Sequence, residues 1–262
     1  MHMPQCSDDP ARTVRAAVIF VGAIVAATAA THAAPSETAA SRGPDVLSRS
    51  LALIHEGRPD AARELLQPAL DGRPAWAEGH ATLALTYVEE ERWETASKLF
   101  ERALELDAGL HKARVPYGWC LYYLGDLERA RASFRTYLEH EPDYADAVYA
   151  LALIDFDDDE LASAERLLRR VILLGRTRRD MGRQAMAHAR LGDLYVRQGK
   201  LSRAKLELQR AIELDAHNGK AHFKLSRVLQ LLGDTGGAAE ARDRYESLLD
   251  TPPGSTDPAD EP

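Results

Sequence analysis

The sequence predicts an all-α fold, an α-solenoid of about six antiparallel helix pairs, and two recurring features predict it. Alanine recurs at intervals of 34, 34, 34, 40 and 34 residues, at Ala62, Ala96, Ala130, Ala164, Ala204 and Ala238. Glycine stands five residues before four of these alanines, at Gly57, Gly125, Gly199 and Gly233. A fixed period of this length is the sequence signature of stacked structural repeats.

The fifth period, residues 185–218, shows why each period is predicted to be a helix pair. Leu191 and Tyr195 share one face of a first helix. Gly199 follows, and glycine readily adopts the left-handed conformation that ends many helices. The apolar stripe of a second helix comes next, at Leu201, Ala204, Leu208 and Ala211. Small residues at the alanine column let the two helices of the pair approach closely.

The period divides the chain into six units with one inserted segment. The units are 43–76, 77–110, 111–144, 145–178, 185–218 and 219–252, and the insertion is 179–184. The first and last units depart most from the pattern, as terminal repeats usually do. The flanking segments are polar and proline-containing. They predict a linker at 34–42 and a disordered acidic tail at 253–262.

The first residues of the chain resemble a targeting signal. Arg12 and Arg15 precede an apolar run of small residues, and Thr31 and Ala33 form a small-x-small end. This order predicts a signal peptide at 1–33, cleaved after Ala33, and hence an exported, periplasmic protein. The alternative is a membrane anchor formed by residues 16–31, although that run is shorter than the roughly 20 residues that span a bilayer.

Charge and cysteine content restrict the possible partners. The net charge is −8, and an acidic chain without a basic stripe argues against a nucleic-acid partner. Cys6 falls inside the predicted signal, so Cys120 is alone after cleavage and forms no intrachain disulfide. Cys120 lies within an apolar helical pattern, which predicts a buried thiol.

The sequence offers no recognisable catalytic motif. It contains no phosphate-binding glycine loop, haem attachment site or serine elbow. We therefore expect a protein that is not an enzyme, with no cofactor and no metal. The acidic run from Asp155 to Glu160 imitates the start of a calcium loop. Glu160 and Arg166 replace the required glycine and glutamate, so a solvated turn is predicted, with a weak cation or basic-peptide site as the alternative.

The repeated residues resemble the tetratricopeptide repeat family over roughly residues 43–252. The second unit shows the resemblance well, with Leu83, Tyr87, Ala96, Phe100 and Ala103 at the family's apolar and small places. The resemblance implies a right-handed superhelix with one concave face. It also implies that the protein holds other proteins or peptides and does not perform catalysis.

One face of the first helices in the third and fourth units is rich in aromatic residues. It does not coincide with the face that packs on the paired helix, so we predict a peptide-binding groove there. The groove residues are Val115, Trp119, Tyr122, Tyr123, Tyr149, Leu153, Phe156 and Asp157. The predicted ligand is an extended apolar peptide, with basic residues that meet Asp155 and Asp157. The alternative is that these side chains fill the space between adjacent repeats.

Arginines cluster at the end of the fourth unit and through the insertion. They are Arg169, Arg170, Arg176, Arg178, Arg179 and Arg183. One interpretation is a docking patch for an acidic partner, with anionic lipid as one such partner. The other is an exposed turn in which cations are favoured near a helix C-terminus.

The predicted function is an exported scaffold that binds a protein or peptide segment in its groove, in envelope assembly. The alternative is a structural or oligomerising subunit that uses its edge surfaces and has no groove ligand. A monomer is the favoured state, and contact with a membrane is expected only if the signal stays uncleaved.

Overall fold

A computed structural model of the chain describes residues 43–250, and the side chains from 45 to 249. The predicted signal at 1–33, the linker at 34–42 and the tail at 253–262 lie outside these residues. Over the described range the structure is all-helical, without strands. None of the helices described is long and apolar enough to cross a membrane.

The described residues form two compact units, 43–150 and 151–250. The helices are α1 Gly43–His55, α2 Pro59–Asp71, α3 Ala77–Val88, α4 Trp93–Leu106, α5 Arg114–Tyr123, α6 Leu127–His140, α7 Ala145–Asp157, α8 Leu161–Arg178, α9 Met181–Arg197, α10 Leu201–Leu214, α11 Gly219–Leu231 and α12 Thr235–Asp250. The division between the units falls inside α7.

Consecutive helices pack as pairs within each unit. In the first unit α1 packs on α2, α3 on α4 and α5 on α6, while α2–α3 and α4–α5 contacts join one pair to the next. In the second unit α9 packs on α10 and α11 on α12, and α8–α9 and α10–α11 contacts join neighbours. The predicted all-α solenoid of helix pairs is confirmed.

The alanine column lies where the two helices of a pair meet. Five of its members have no exposed surface, and Ala238 in the last pair is 8% exposed. The small residue on the facing helix is equally constrained. A Cβ on Gly118 would lie 2.8 Å from the Phe134 ring, and one on Gly192 would lie 2.7 Å from Leu208 Cγ. A larger side chain at either place would force the Phe134 or Leu208 side chain, or the paired helix itself, to move.

The turn inside each pair ends its first helix in the same way. In all six described turns, the residue five positions before the alanine column has a positive φ. These residues are Gly57, Glu91, Gly125, Asp159, Gly199 and Gly233. In each turn the next backbone N–H donates to the carbonyl five residues earlier, at 2.8–3.0 Å. This bond is the one that closes a Schellman motif. Four of the six turns use glycine, which adopts this conformation without steric cost.

Four of the six residues predicted as an insertion, 181–184, form helix in the structure. The segment 179–184 is predicted to lie between two units, but only Arg179 and Asp180 lie outside helices. The additional residues lengthen α8 to 18 residues and α9 to 17, compared with 14 in α10. Arg179 ends α8 with a φ of 56°, and the Asp180 carboxylate accepts from the Arg183 N–H at the start of α9. The insertion thus extends one helical hairpin.

Candidate binding surfaces

An aromatic cluster in the first unit contains three of the residues predicted to line the groove. Tyr123 of α5 stacks on Trp93, the first residue of α4, with ring centroids 4.3 Å apart and planes inclined by 18°. Trp119 meets the edge of Tyr122 at 5.7 Å and of Phe134 at 5.5 Å. Offset and edge-to-face arrangements of this kind add stability beyond the burial of area.

Burial divides the predicted groove residues of the first unit into two classes. Trp119 has no exposed surface, Val115 is 1% exposed and Tyr149 is 5% exposed. Tyr122 and Tyr123 are half-buried. The buried three belong to the core of the protein, so a ligand of the folded protein can reach this face through the two tyrosines. That the face binds a peptide stays a prediction.

Trp119 is buried without a hydrogen bond to its indole nitrogen. No acceptor among the described residues lies within reach of Nε1. A buried indole N–H usually has a hydrogen-bond partner. Because Trp119 has none among the described residues, its contacts with neighbouring rings are what hold it in place. Its neighbour Cys120 is also fully buried, and burial raises the pKa of the Cys120 thiol far above its ordinary value. This cysteine is a core residue, as the sequence predicts.

The remaining three predicted groove residues lie in the second unit. Leu153 is 2% exposed and Phe156 is 8% exposed, whereas Asp157 is exposed. The Arg197 guanidinium of α9 lies 4.1 Å from the centroid of the Phe156 ring, and its Nη1 donates to the Phe156 carbonyl at 2.6 Å. This cation–π contact covers the ring from one side.

Two residues of these surfaces were not identified from the sequence. Trp93 is thirty residues before its partner Tyr123, and Arg197 is forty-one residues after Phe156. A 34-residue repeat places similar residues in register, but it does not show which side chains of neighbouring helices touch. Both contacts depend on long side chains that reach across a helix boundary.

The acidic run after α7 forms a tight turn. Asp155 is 5% exposed, whereas the residues from Asp157 to Glu160 are exposed. Asp159 has a φ of 61°, and the Glu160 N–H donates to the Asp155 carbonyl at 2.8 Å. Within residues 43–250 no group of three or more His, Cys, Asp or Glu side chains could hold a metal ion.

Two of the clustered arginines are held by partners inside the second unit. Arg169 forms an ion pair of 2.7 Å with Glu165 and donates to the Tyr195 hydroxyl at 3.1 Å. The Tyr195 hydroxyl donates in turn to Glu165 at 2.8 Å, and burial, together with this bond to Glu165, raises the pKa of Tyr195. Arg183 forms an ion pair with Asp180 at 3.0 Å.

The other arginines at the end of α8 are exposed. Arg176, Arg178 and Arg179 form no ion pair or side-chain hydrogen bond with any residue that the structure describes. Arg170 is exposed as well. The same hairpin exposes two large apolar side chains, Leu173 at 62% and Met181 at 60%.

Comparison with protein families gives matches over most of the repeats. A model of the tetratricopeptide repeat matches residues 53–115 and 121–191, and a second model of this repeat matches residues 189–255. These ranges cover more than half of the chain.

The chain is also similar to individual proteins. It is 29% identical over 109 residues to the CTR9 homologue of Arabidopsis thaliana. This stretch is 41% of this chain, and it spans only 10% of the length of that relative. The structure of pilF from Pseudomonas aeruginosa superposes with a TM-score of 0.63 at 19% identity, over 94% of this chain and 96% of pilF. PilW, a type IV pilus biogenesis factor, gives 0.67 at 16% identity, over 78% and 92%. At these identities the two structures share the fold alone.

Proposed function

Because the chain belongs to the tetratricopeptide repeat family, we propose that it is a non-catalytic, exported scaffold that binds a peptide segment of another protein. The binding face includes Tyr122 and Tyr123 of α5, which are half-buried, although the Tyr123 hydroxyl itself is buried. The ligand is an extended, largely apolar segment that carries basic residues.

One observation carries this proposal: the aromatic cluster has an accessible edge. Tyr122 and Tyr123 are half-buried, while Trp93 and Trp119 hold their rings by stacking and by edge contacts. Rings that are already fixed lose little conformational entropy when a ligand packs against them. Tyrosine and tryptophan are also the side chains that contribute most of the binding energy at many interfaces.

The proposed location is the cell envelope. It is supported by the signal pattern at 1–33 and by the likeness in fold to PilW, which is described as a biogenesis factor of type IV pili. Apolar segments with basic residues on an envelope protein are the partners that we propose for the face of α5.

Photo-crosslinking from position 122, on the proposed binding face of α5, tests the proposal. A photoreactive phenylalanine analogue replaces Tyr122 in the protein expressed in its native host, and irradiated cells are analysed for covalent adducts. The matched control carries the same analogue in place of Tyr245, a half-buried tyrosine on the second helix of the last pair. We expect a discrete adduct to an envelope protein from position 122 and none from position 245.

A second variant distinguishes ligand binding from simple proximity. With the analogue kept at position 122, Tyr123→Ala removes the neighbouring ring, and the adduct should weaken about tenfold or more if this ring is a binding hot spot. Circular dichroism must show a folded protein. An adduct of unchanged yield, or equal adducts from positions 122 and 245, would contradict the proposal.

An alternative function is favoured by a different surface, the last helix pair. Leu231, Leu232 and Leu249 are 63%, 40% and 65% exposed there, as expected for a subunit that associates through its edge. Light scattering over a concentration series distinguishes the two functions. A dimer that dissociates when Leu231 and Leu249 are changed to Ser supports the oligomerising subunit, and a monomer at all concentrations supports the scaffold.

A further inference from the structure

We propose that the tip of the α8–α9 hairpin is a docking site for an anionic lipid bilayer. The tip comprises residues 173–183, from the last turns of α8 to the first turn of α9. This proposal is independent of the peptide-binding face of α5, since it concerns another surface and another class of partner.

The first argument is the uncompensated charge of the tip. Arg176, Arg178 and Arg179 are exposed and have no ion-pair partner in the described part of the chain. The nearest acidic residue in sequence, Asp180, already pairs with Arg183 and caps α9. Many other arginines of the chain do have acidic partners; Arg63, Arg102 and Arg210 are examples.

The net charge of the protein does not cancel this local charge. The chain as a whole carries −8, but exposed charges farther away than the Debye length, about 8 Å at physiological salt, are largely screened. A bilayer that touches the tip therefore meets mainly the arginines. Each basic residue near an anionic membrane surface contributes about 1 kcal/mol.

The second argument is the apolar surface at the same place. Leu173 and Met181 are 62% and 60% exposed. Leu173 lies three residues before Arg176 on α8, so the two share a helix face. Met181 is the first residue of α9, directly after the turn. Arginine beside exposed aliphatic side chains suits the boundary between lipid headgroups and acyl chains.

The composition of the tip decides between a bilayer and an acidic protein segment. An acidic peptide would use the arginines alone, whereas a bilayer offers phosphate groups to the arginines and an apolar boundary to the two exposed aliphatic side chains. The residues from Arg176 to Arg179 are all exposed. These side chains are therefore available to contact lipid headgroups.

Co-sedimentation with vesicles tests the proposal. The protein from residue 34 onward is used, the form that the predicted cleavage leaves, so that the apolar run at 16–31 cannot insert. We expect binding at low ionic strength to vesicles of equal parts phosphatidylglycerol and phosphatidylcholine, and none to phosphatidylcholine alone. The combined change of Arg176, Arg178 and Arg179 to Ala should weaken this binding by on the order of 100-fold, about fivefold per arginine.

Two further variants make the result specific. Arg135, Arg227 and Arg242 are exposed on three other helices, and their combined change to Ala alters the net charge equally but should leave vesicle binding within about threefold of wild type. The pair Leu173→Ser and Met181→Ser should weaken vesicle binding but leave binding to poly-glutamate unchanged.

Several outcomes would overturn the proposal. They are no binding of the wild type to the anionic vesicles, equal losses in the two triple-arginine variants, or binding to poly-glutamate without binding to vesicles. The last result would identify an acidic protein segment as the partner of the tip. Circular dichroism spectra that match wild type are required of every variant before its binding is compared.

Discussion

Trp119 and Phe156 show the difference between the helix face that a residue occupies and the exposure of its side chain. Trp119 and Phe156 were predicted on the groove-lining face because of their helical spacing, and that spacing correctly places them on α5 and α7. Periodicity predicts which face a residue occupies, but it does not predict what packs on that face. Trp119 has no exposed surface, and Phe156 is covered in part by Arg197. Tyr122 and Tyr123 therefore remain as the accessible part of the predicted site in the first unit.

His222 should make the stability of the protein depend on pH. It is 9% exposed, and its Nε2 donates to the Ala216 carbonyl at 3.1 Å. Burial, assisted by the charge of Arg244, lowers the pKa of His222 below its ordinary value of about 6.5. The unfolded chain therefore takes up the proton more readily than the folded protein. The contribution of His222 to stability is fully present above about pH 6.5 and is lost as the pH decreases from there through the folded-state pKa.

The variant His222→Gln tests this effect, because glutamine retains an N–H donor but does not titrate. Urea unfolding at about pH 7.5 and about pH 5 should show a smaller loss of stability on acidification than in wild type. His217→Gln, a change at an exposed histidine, is the control and should leave the loss unchanged. Identical losses in wild type and His222→Gln would show that this side chain does not contribute.

At the scale of the helix and the turn, the sequence pattern predicted most of what the structure contains. The alanine column and the recurring glycines located all six turns. However, two turns place Glu91 and Asp159 in the left-handed conformation, with φ values of 57° and 61°. Glu91 and Asp159 stand at the same position of the repeat as the four glycines, so the repeat register predicts a turn there. Glutamate itself has no local preference for the left-handed conformation. Here the packing of the helix pair on both sides determines the backbone.

The close approach of paired helices predicts opposite effects for two glycine-to-alanine changes. In Gly192→Ala the new Cβ would lie 2.7 Å from Leu208 Cγ, and overpacking of this kind costs about 1–3 kcal/mol. A gain of up to about 1 kcal/mol in helix propensity offsets only part of that cost. In Gly236→Ala no atom lies within 4 Å of the new Cβ, so a small stabilisation is expected.

Urea unfolding of the two variants beside wild type measures the difference. The midpoint should decrease for Gly192→Ala and should stay equal or increase for Gly236→Ala. Both glycines lie in helices of the second unit, so the comparison concerns one folded body. If the two variants were equally stable, the α9–α10 contact would be looser than the structure has it.

At the scale of the whole molecule, the repeat period predicted the fold correctly, whereas the residues that interrupt the period gave no correct prediction of their own structure. The period predicted the all-α solenoid because each unit supplies one helix pair. The six additional residues near 179–184 broke the period, and the sequence alone favoured a separate segment. The spacing of Met181, Ala185 and His188 with Leu191 is nevertheless compatible with a helix through this segment. In the structure Met181, Ala185 and His188 all lie in α9, which begins at Met181.

The predicted export is the property of the whole molecule that a direct measurement tests most simply. The order of Arg12, Arg15, the apolar run and the small residues before Ala34 predicts cleavage after Ala33. Mass spectrometry of the protein purified from its native host should give a chain that begins at Ala34 and lacks Cys6. Ala33→Leu places a large residue at the cleavage site and should leave the precursor unprocessed, whereas Ala40→Leu, seven residues downstream, should be processed normally. A wild-type chain that retains its first residues in the envelope would instead favour the membrane anchor at 16–31.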